Sequence, residues 1–223
     1  MPRRADDPLG GLPAQARRGP AIRVRDLGLV EYEPTWQAMK AFTARRHADT
    51  DDEIWLLQHP PVYTQGLSCD SRPPADSRIP VVATDRGGQI TYHGPGQVVA
   101  YALIDIKRRR RGPKWLVELL EQAVIELLAK HGIDAGRRPS APGVYVAGRK
   151  IAALGLRVRK GAAYHGVSLN VDMDLAPFRV IDPCGYPGLE VTQVKDLVAG
   201  VPVAAAQQAL ADRILDLLSR DEG

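Results

Sequence analysis

Cysteine is nearly absent from this chain: two residues, Cys69 and Cys184, among 223. That excludes a disulfide-built scaffold, and the first residues carry no apolar run of signal-peptide length, so the reading is two thiols in a reducing, cytoplasmic setting. No stretch approaches the ~20 apolar residues of a membrane span. Aromatic residues make up only 5% of the chain, too few to interleave with arginines as a base-stacking platform, which argues against a nucleic-acid-binding module. Excess charge is also modest, +4 at pH 7. It is concentrated in Lys107-Arg108-Arg109-Arg110-Arg111, a run that is either a solvated loop or a docking site for an acidic partner.

What is present suits one globular domain. Hydrophobic residues make up 44% of the chain, enough for a core that needs no metal or disulfide. Residues 1–20, rich in Pro, Gly, Arg and Ala without periodicity, read as a disordered tail, leaving 21–223 as the domain. A short strand at Ile22 and Val24 leads to a helix over Trp36–His47. Glu53–Leu57 is a strand stopped at His59-Pro60-Pro61, and Ser68–Pro80 is a surface loop in which Cys69 has no chemical role. Val98–Ile106 is a strand, and Lys114–His131 is the clearest helix, with Leu116, Leu119, Leu120, Ala123, Leu127 and Leu128 on one face and Gly132 as its stop. Residues 133–142 read as a connection. Val144–Ala147 and Lys150–Val158 form a hairpin around Gly148-Arg149, a loop of the II′ kind. A strand over Tyr164–Val171 and an amphipathic helix over Val203–Leu218 complete the pattern.

Four places carry chemistry. Cys184 stands in Asp182-Pro183-Cys184-Gly185-Tyr186-Pro187-Gly188, where fixed and permissive φ angles make a tight turn that presents its thiol; the alternative is a small buried hydrophobe. His59, at the exit of a core strand, is either catalytic or structural. The block Asp85–Tyr101 crowds Arg86, Gln89, Thr91, Tyr92 and His93 around paired glycines, which suits close approach of a ligand; otherwise it is a pair of hairpin turns. Its spacing matches neither a Walker A loop nor Gly-x-Gly-x-x-Gly. Lys150 shares strand parity with Ala152, Leu154, Leu156 and Val158, aiming it at the apolar side. It either snorkels out or meets a group that needs its charge.

Taken together, the blocks HPPVYT (59–64), RGGQITYHGPGQ (86–97), GRKIAALG (148–155), HGVSLNV (165–171) and PCG (183–185) resemble the lipoyl(octanoyl) transferases of lipoate biosynthesis. The resemblance covers about residues 26–197. It implies an α/β (α+β) fold, a mixed β-sheet backed by helices, like the catalytic domains of biotin and lipoate protein ligases. It also implies an acyltransferase that moves an octanoyl group from acyl carrier protein, through a cysteine acyl-enzyme, to a lysine of a lipoyl domain. The acceptors would be lipoyl domains of 2-oxoacid dehydrogenase acyltransferase subunits and the glycine cleavage H protein. Carried over by position, Cys184 matches the nucleophile and Lys150 the group that lowers its pKa. Arg86, Gly87, Gly88, Gln89, Ile90, Thr91, Tyr92, His93, Ala153, Leu154, Gly155, Gly166, Val167 and Ser168 match the substrate-binding segments. No cofactor, metal, nucleic acid or membrane is implied, because the thioester arrives already activated. An ATP-dependent lipoate-protein ligase of the same fold is the alternative, with a cysteine hydrolase behind it.

Overall fold

The computed structural model describes residues 21–69, 78–181 and 189–220. Met1–Pro20 and the Cys184 turn therefore lie outside the described residues. Ten strands and three α-helices follow in chain order: β1 (Ile22–Leu29), α1 (Tyr32–Ala44), β2 (Asp52–Gln58), β3 (Val62–Gln65), β4 (Val81–Ala83), β5 (Ile90–His93), β6 (Gln97–Leu103), α2 (Pro113–Ala129), β7 (Gly136–Arg138), β8 (Ala141–Val146), β9 (Arg149–Arg159), β10 (Ala162–Asn170) and α3 (Val203–Arg220). Seven strands form one mixed sheet in the order β1-β2-β6-β10-β9-β8-β7, parallel only at β1/β2. A second sheet, β4-β3-β5, stands apart from it.

The two faces of the large sheet bury different residues. Ile54, Leu56, Val98, Ala100, Val167 and Leu169 pack with Leu116, Leu120 and Leu127 of α2 and Leu210 and Ile214 of α3. Trp55, Leu57, Val99, Tyr101 and Tyr164 face the other way, against Tyr32 and Met39 of α1. Central strands covered on both sides lose polar alternation, and so β6 after Gln97 reads Val-Val-Ala-Tyr-Ala-Leu and is buried throughout.

Several expectations change. Helix α1 starts at Tyr32, four residues early, because Pro34 falls in the first turn, where backbone N–H groups have no intrahelical partner to lose. Strand β7 lies within residues 133–142, expected as a connection, and β3 follows the Pro60-Pro61 stop; at three and four residues each is too short to show a period. Ile90–His93 and Gln97–Leu103 are not two arms of one hairpin. β5 belongs to the small sheet and β6 to the large one, and Gly94-Pro95-Gly96 is the corner between them. At Gly96, φ is +88° and an added Cβ would sit 1.7 Å from the Asp172 carbonyl oxygen, so only glycine fits. In the β8–β9 hairpin the turn residues are Ala147 (φ 47°) and Gly148 (φ 79°), making it type I′, and Arg149 is the first residue of β9. Cys69 is half-buried and packs against the cluster of Tyr63, Tyr92 and Phe178.

The basic run divides. Arg108 donates to Asp52 Oδ1 at 2.8 Å and to the Thr50 carbonyl at 2.9 Å, while Arg109 Nε reaches Asp52 Oδ2 at 3.3 Å. Arg46 joins them at 3.0 Å, so three guanidiniums surround one carboxylate that is 1% exposed. Two arginines of the run are thus structural, and Lys107, Arg110 and Arg111 face outward.

Candidate functional site

A solvent-open cavity lies between the two sheets. It exists because of what β9 and β10 place on this face. In the register of these strands Ala153 stands opposite Ser168 and Gly155 opposite Gly166, so two cross-strand pairs are built from very small side chains. A Cβ on Gly166 would lie 2.0 Å from the Ala100 carbonyl oxygen. Val99 and Tyr101 of β6 continue the wall, Ile90, Thr91 and His93 come from β5, and Arg86, Gly88 and Gln89 from the loop before it. Tyr32, Phe178 and Val191 close the sides.

Lys150 also lines this cavity, and a β-bulge puts it there. Tyr145 pairs with Lys150 and Val144 with Ala152, leaving Ile151 as an extra residue in β9. Ile151 and Ala152 both join the helix-side core. Lys150 is therefore turned to the opposite face from Ala152, Leu154, Leu156 and Val158, whose parity it shares by simple counting. The expectation that it is aimed inward holds, but the face was misread. Lys150 is 2% exposed, with Nζ 5.4 Å from the centre of the Tyr145 ring. Gly143 makes room for it, since a Cβ there would come within 2.4 Å of Lys150 Cε.

Two histidines, His93 and His165, line the cavity and a third, His59, stands behind its wall, each with its tautomer set by a hydrogen bond. His59 Nδ1 donates to the Val30 carbonyl at 2.6 Å, so its Nε2 accepts from the Tyr101 hydroxyl at 2.8 Å. His59 is thus structural, bracing the cavity wall from outside. Gln97 Nε2 donates to Asn170 Oδ1 at 2.9 Å, which turns Gln97 Oε1 toward His93 Nδ1 at 2.6 Å. His93 then carries its proton on Nδ1 and presents Nε2 as an acceptor. His165 Nε2 donates to Asp85 Oδ1 at 3.1 Å, and its buried Nδ1 has no hydrogen-bond partner. Burial holds all three neutral: it lowers His59 to about 4, it lowers His93 to about 3 with His59 adding to the shift, and it lowers His165 against the opposing pull of Asp85. Burial would raise Asp85, but hydrogen bonds from His165, Tyr164 and Trp36 hold its carboxyl well below the usual range.

Of the substrate-binding residues expected from the resemblance, twelve line the cavity and two do not. Gly87 binds the outer edge of β9, its N–H donating to the Leu156 carbonyl at 3.0 Å. Tyr92 alternates to the far side of β5 and packs edge-on against Phe178, ring centres 5.4 Å apart. Arg86 spends much of its guanidinium on shaping the loop, donating to the Thr64 hydroxyl and carbonyl and to the Gly87 carbonyl. Tyr32, Val99, Tyr101, His165, Asn170, Phe178 and Val191 line the cavity without having been singled out for it; most are core residues of their strands, and nothing local in the sequence separates them from packing. Cys184 lies outside the described residues. The described chain before it runs to Ile181, buried beside Phe178, and the described chain after it begins at Leu189, with the Glu190 carbonyl accepting from the Lys150 N–H at 2.9 Å. Among the described residues no cluster of three or more His, Cys, Asp or Glu is placed to hold a metal ion, and no helix is long and apolar enough to cross a membrane.

Residues 31–215 match the lipoyl protein ligase A/B catalytic domain family. The chain belongs to that family. Its curated relatives include an octanoyltransferase of Thiobacillus denitrificans, 59% identical over 87% of this chain and 90% of the relative. Another is an octanoyltransferase of Aromatoleum aromaticum, 56% identical over 94% and 93%. Among solved structures, a lipoate-protein ligase A bound with ATP superposes with a TM-score of 0.71 at 17% identity, covering 91% of this chain and 86% of that one. A biotin protein ligase from Aquifex aeolicus gives 0.60 at 14% identity, covering 89% and 71%. These likenesses bear out the expected fold, a mixed sheet backed by helices.

Proposed function

We propose that this protein is an acyltransferase of lipoate biosynthesis that takes octanoyl from acyl carrier protein onto Cys184 and passes it to a lysine of lipoyl domains, in the cytoplasm. Octanoyl transfer itself follows from the family and from relatives of that name at 53–59% identity. The observation that supports the dyad is Lys150, turned by the bulge into an apolar cavity walled by Ala153, Gly155, Gly166 and Ser168, and tied through its backbone to Glu190 just beyond the Cys184 turn. An ammonium beside a thiol favours the thiolate. The thiolate attacks the thioester carbonyl, a new C–S bond forms, and the carrier leaves as a thiolate that takes the Lys150 proton. Lys150, now an amine, accepts a proton from the acceptor lysine; that amine attacks the acyl-enzyme, its second proton passes to solvent, and the C–S bond breaks to release the Cys184 thiolate. His93 Nε2, presented as an acceptor, suits an N–H of the incoming amine.

Intact-mass measurement after mixing with octanoyl carrier protein tests this reading. The expected result is one octanoyl adduct on the wild-type chain, discharged by added lipoyl domain, and none on Cys184→Ser. Acylation of the lipoyl domain from free octanoate and ATP, with the carrier thioester inert, would instead make the chain a ligase. Release of free octanoate without transfer would make it a hydrolase.

A further inference from the structure

The cavity-side face of β9 reads Ala153, Gly155, Arg157, Arg159, because its register with β10 runs unbroken from Arg159↔Ala162 to Ala152↔Leu169. Small residues over the cavity thus give way to two arginines on the same strand face, Arg157 standing about 7 Å beyond Gly155 at the rise of an extended chain. The turn that follows, Lys160-Gly161, is joined to the former basic run. Lys107 N–H donates to the Gly161 carbonyl at 3.0 Å, and Arg110 N–H to the Lys107 carbonyl at 3.0 Å. Lys107, Arg110, Arg157, Arg159 and Lys160 are all exposed. Among the described residues none of the five forms an ion pair. Neighbouring acids offer little relief. Asp85 is held by Trp36, Tyr164 and His165, Asp52 already serves three arginines, and Asp105, bridged to Ala162 beside Arg159, accepts from the Arg108 N–H, a single carboxylate against five cations. The result is a patch of uncompensated positive charge that begins where the cavity wall ends.

We propose that this patch docks an acidic face of the protein that delivers the acyl thioester, setting the carrier at the rim so that its chain enters along β9. The inference rests on octanoyl transfer from a carrier protein. The donor is favoured over the acceptor because the arginines continue the strand face that lines the acyl cavity. Protein is favoured over nucleic acid because Tyr164, the aromatic residue opposite Arg157, is buried with its hydroxyl bonded to Asp85 and offers no exposed ring for base stacking.

The test compares two donors on the wild type and on Arg157→Glu/Arg159→Glu/Lys160→Glu: octanoyl carrier protein, and the small uncharged thioester octanoyl-N-acetylcysteamine. At low salt kcat/KM for the carrier should fall about tenfold or more and lose its salt dependence, while the small donor is used unchanged. Lys107→Glu/Arg110→Glu, on the other segment of the patch, should give the same split if the triple variant folds poorly. Equal loss with both donors, no loss with either, or a loss that follows only the lipoyl-domain concentration would overturn the proposal. Binding of a short oligonucleotide that is abolished by the variant, with carrier kinetics intact, would overturn it too. A wild-type chain acylated by neither donor would instead defeat the octanoyl-transfer reading beneath it.

Discussion

Lys150 is where residue-level reasoning succeeded and failed at once. Its type and its place in a strand were enough to mark a lysine turned toward the interior, but period-two counting assigned it to the face of Ala152 and Leu154. One inserted residue, Ile151, reverses that assignment, and nothing in Arg-Lys-Ile-Ala-Ala-Leu announces a bulge. The proposed role is separable by substitution. Lys150→Arg keeps the charge and loses the ability to yield a proton, so Cys184 should still react with iodoacetamide near neutral pH while transfer to the lipoyl domain drops at least about a hundredfold. Alkylation rates that match at every pH in wild type and Lys150→Ala would remove the dyad. The histidines set a second expectation. His59 and His93 are depressed to about 4 and about 3, so between these values and 6.5 the unfolded chain binds protons that the folded chain refuses. Their contribution is complete above pH 6.5 and is lost as pH falls, at roughly 1 kcal/mol per pH unit for each histidine. The thermal midpoint should therefore decline from pH 7 to pH 5, and His59→Gln should flatten that decline.

At the scale of elements, long and strongly patterned segments were readable and short ones were not. α2 and α3 follow from their apolar faces, and β6 from a continuous apolar run, because each is specified by several residues acting together. β3 is fixed by β4 and β5, 16 or more residues further on, and β7, only three residues long, by its pairing with the adjacent β8. The segment 107–111 makes the same point for charge. Five consecutive cations look alike in sequence, yet Arg108 and Arg109 are drawn to Asp52 at the start of β2, more than fifty residues away. This cluster fastens the β6–α2 loop and the end of α1 to the sheet. Asp52→Asn should leave three guanidiniums without their carboxylate and cost about 3–5 kcal/mol in a urea titration. A loss below about 1 kcal/mol would mean that water or other carboxylates take over.

For the whole molecule, the sheet's existence and the order of its strands' motifs were legible, and the split into two sheets was not, because Gly94-Pro95-Gly96 looks like an ordinary tight turn until its flanking strands are seen to pair with different partners. That corner has a thermodynamic consequence. The cavity takes one wall from β5 and the loop before it and the other from β6, β9 and β10, so an occupant touches both sheets only while the small one is docked. Anything that binds the docked form alone adds RT ln(1 + [L]/Kd) to the cost of undocking. The two sheets should then report a ligand differently. Octanoate or an octanoyl thioester analogue should slow amide hydrogen exchange in β3, β4 and β5, which open with the small sheet, far more than in β6 and β10, which exchange only when the whole chain unfolds. Uniform slowing across both sheets would mean that they open as one unit, and the small sheet would lose its standing as the part of the molecule that senses whether the chain is loaded.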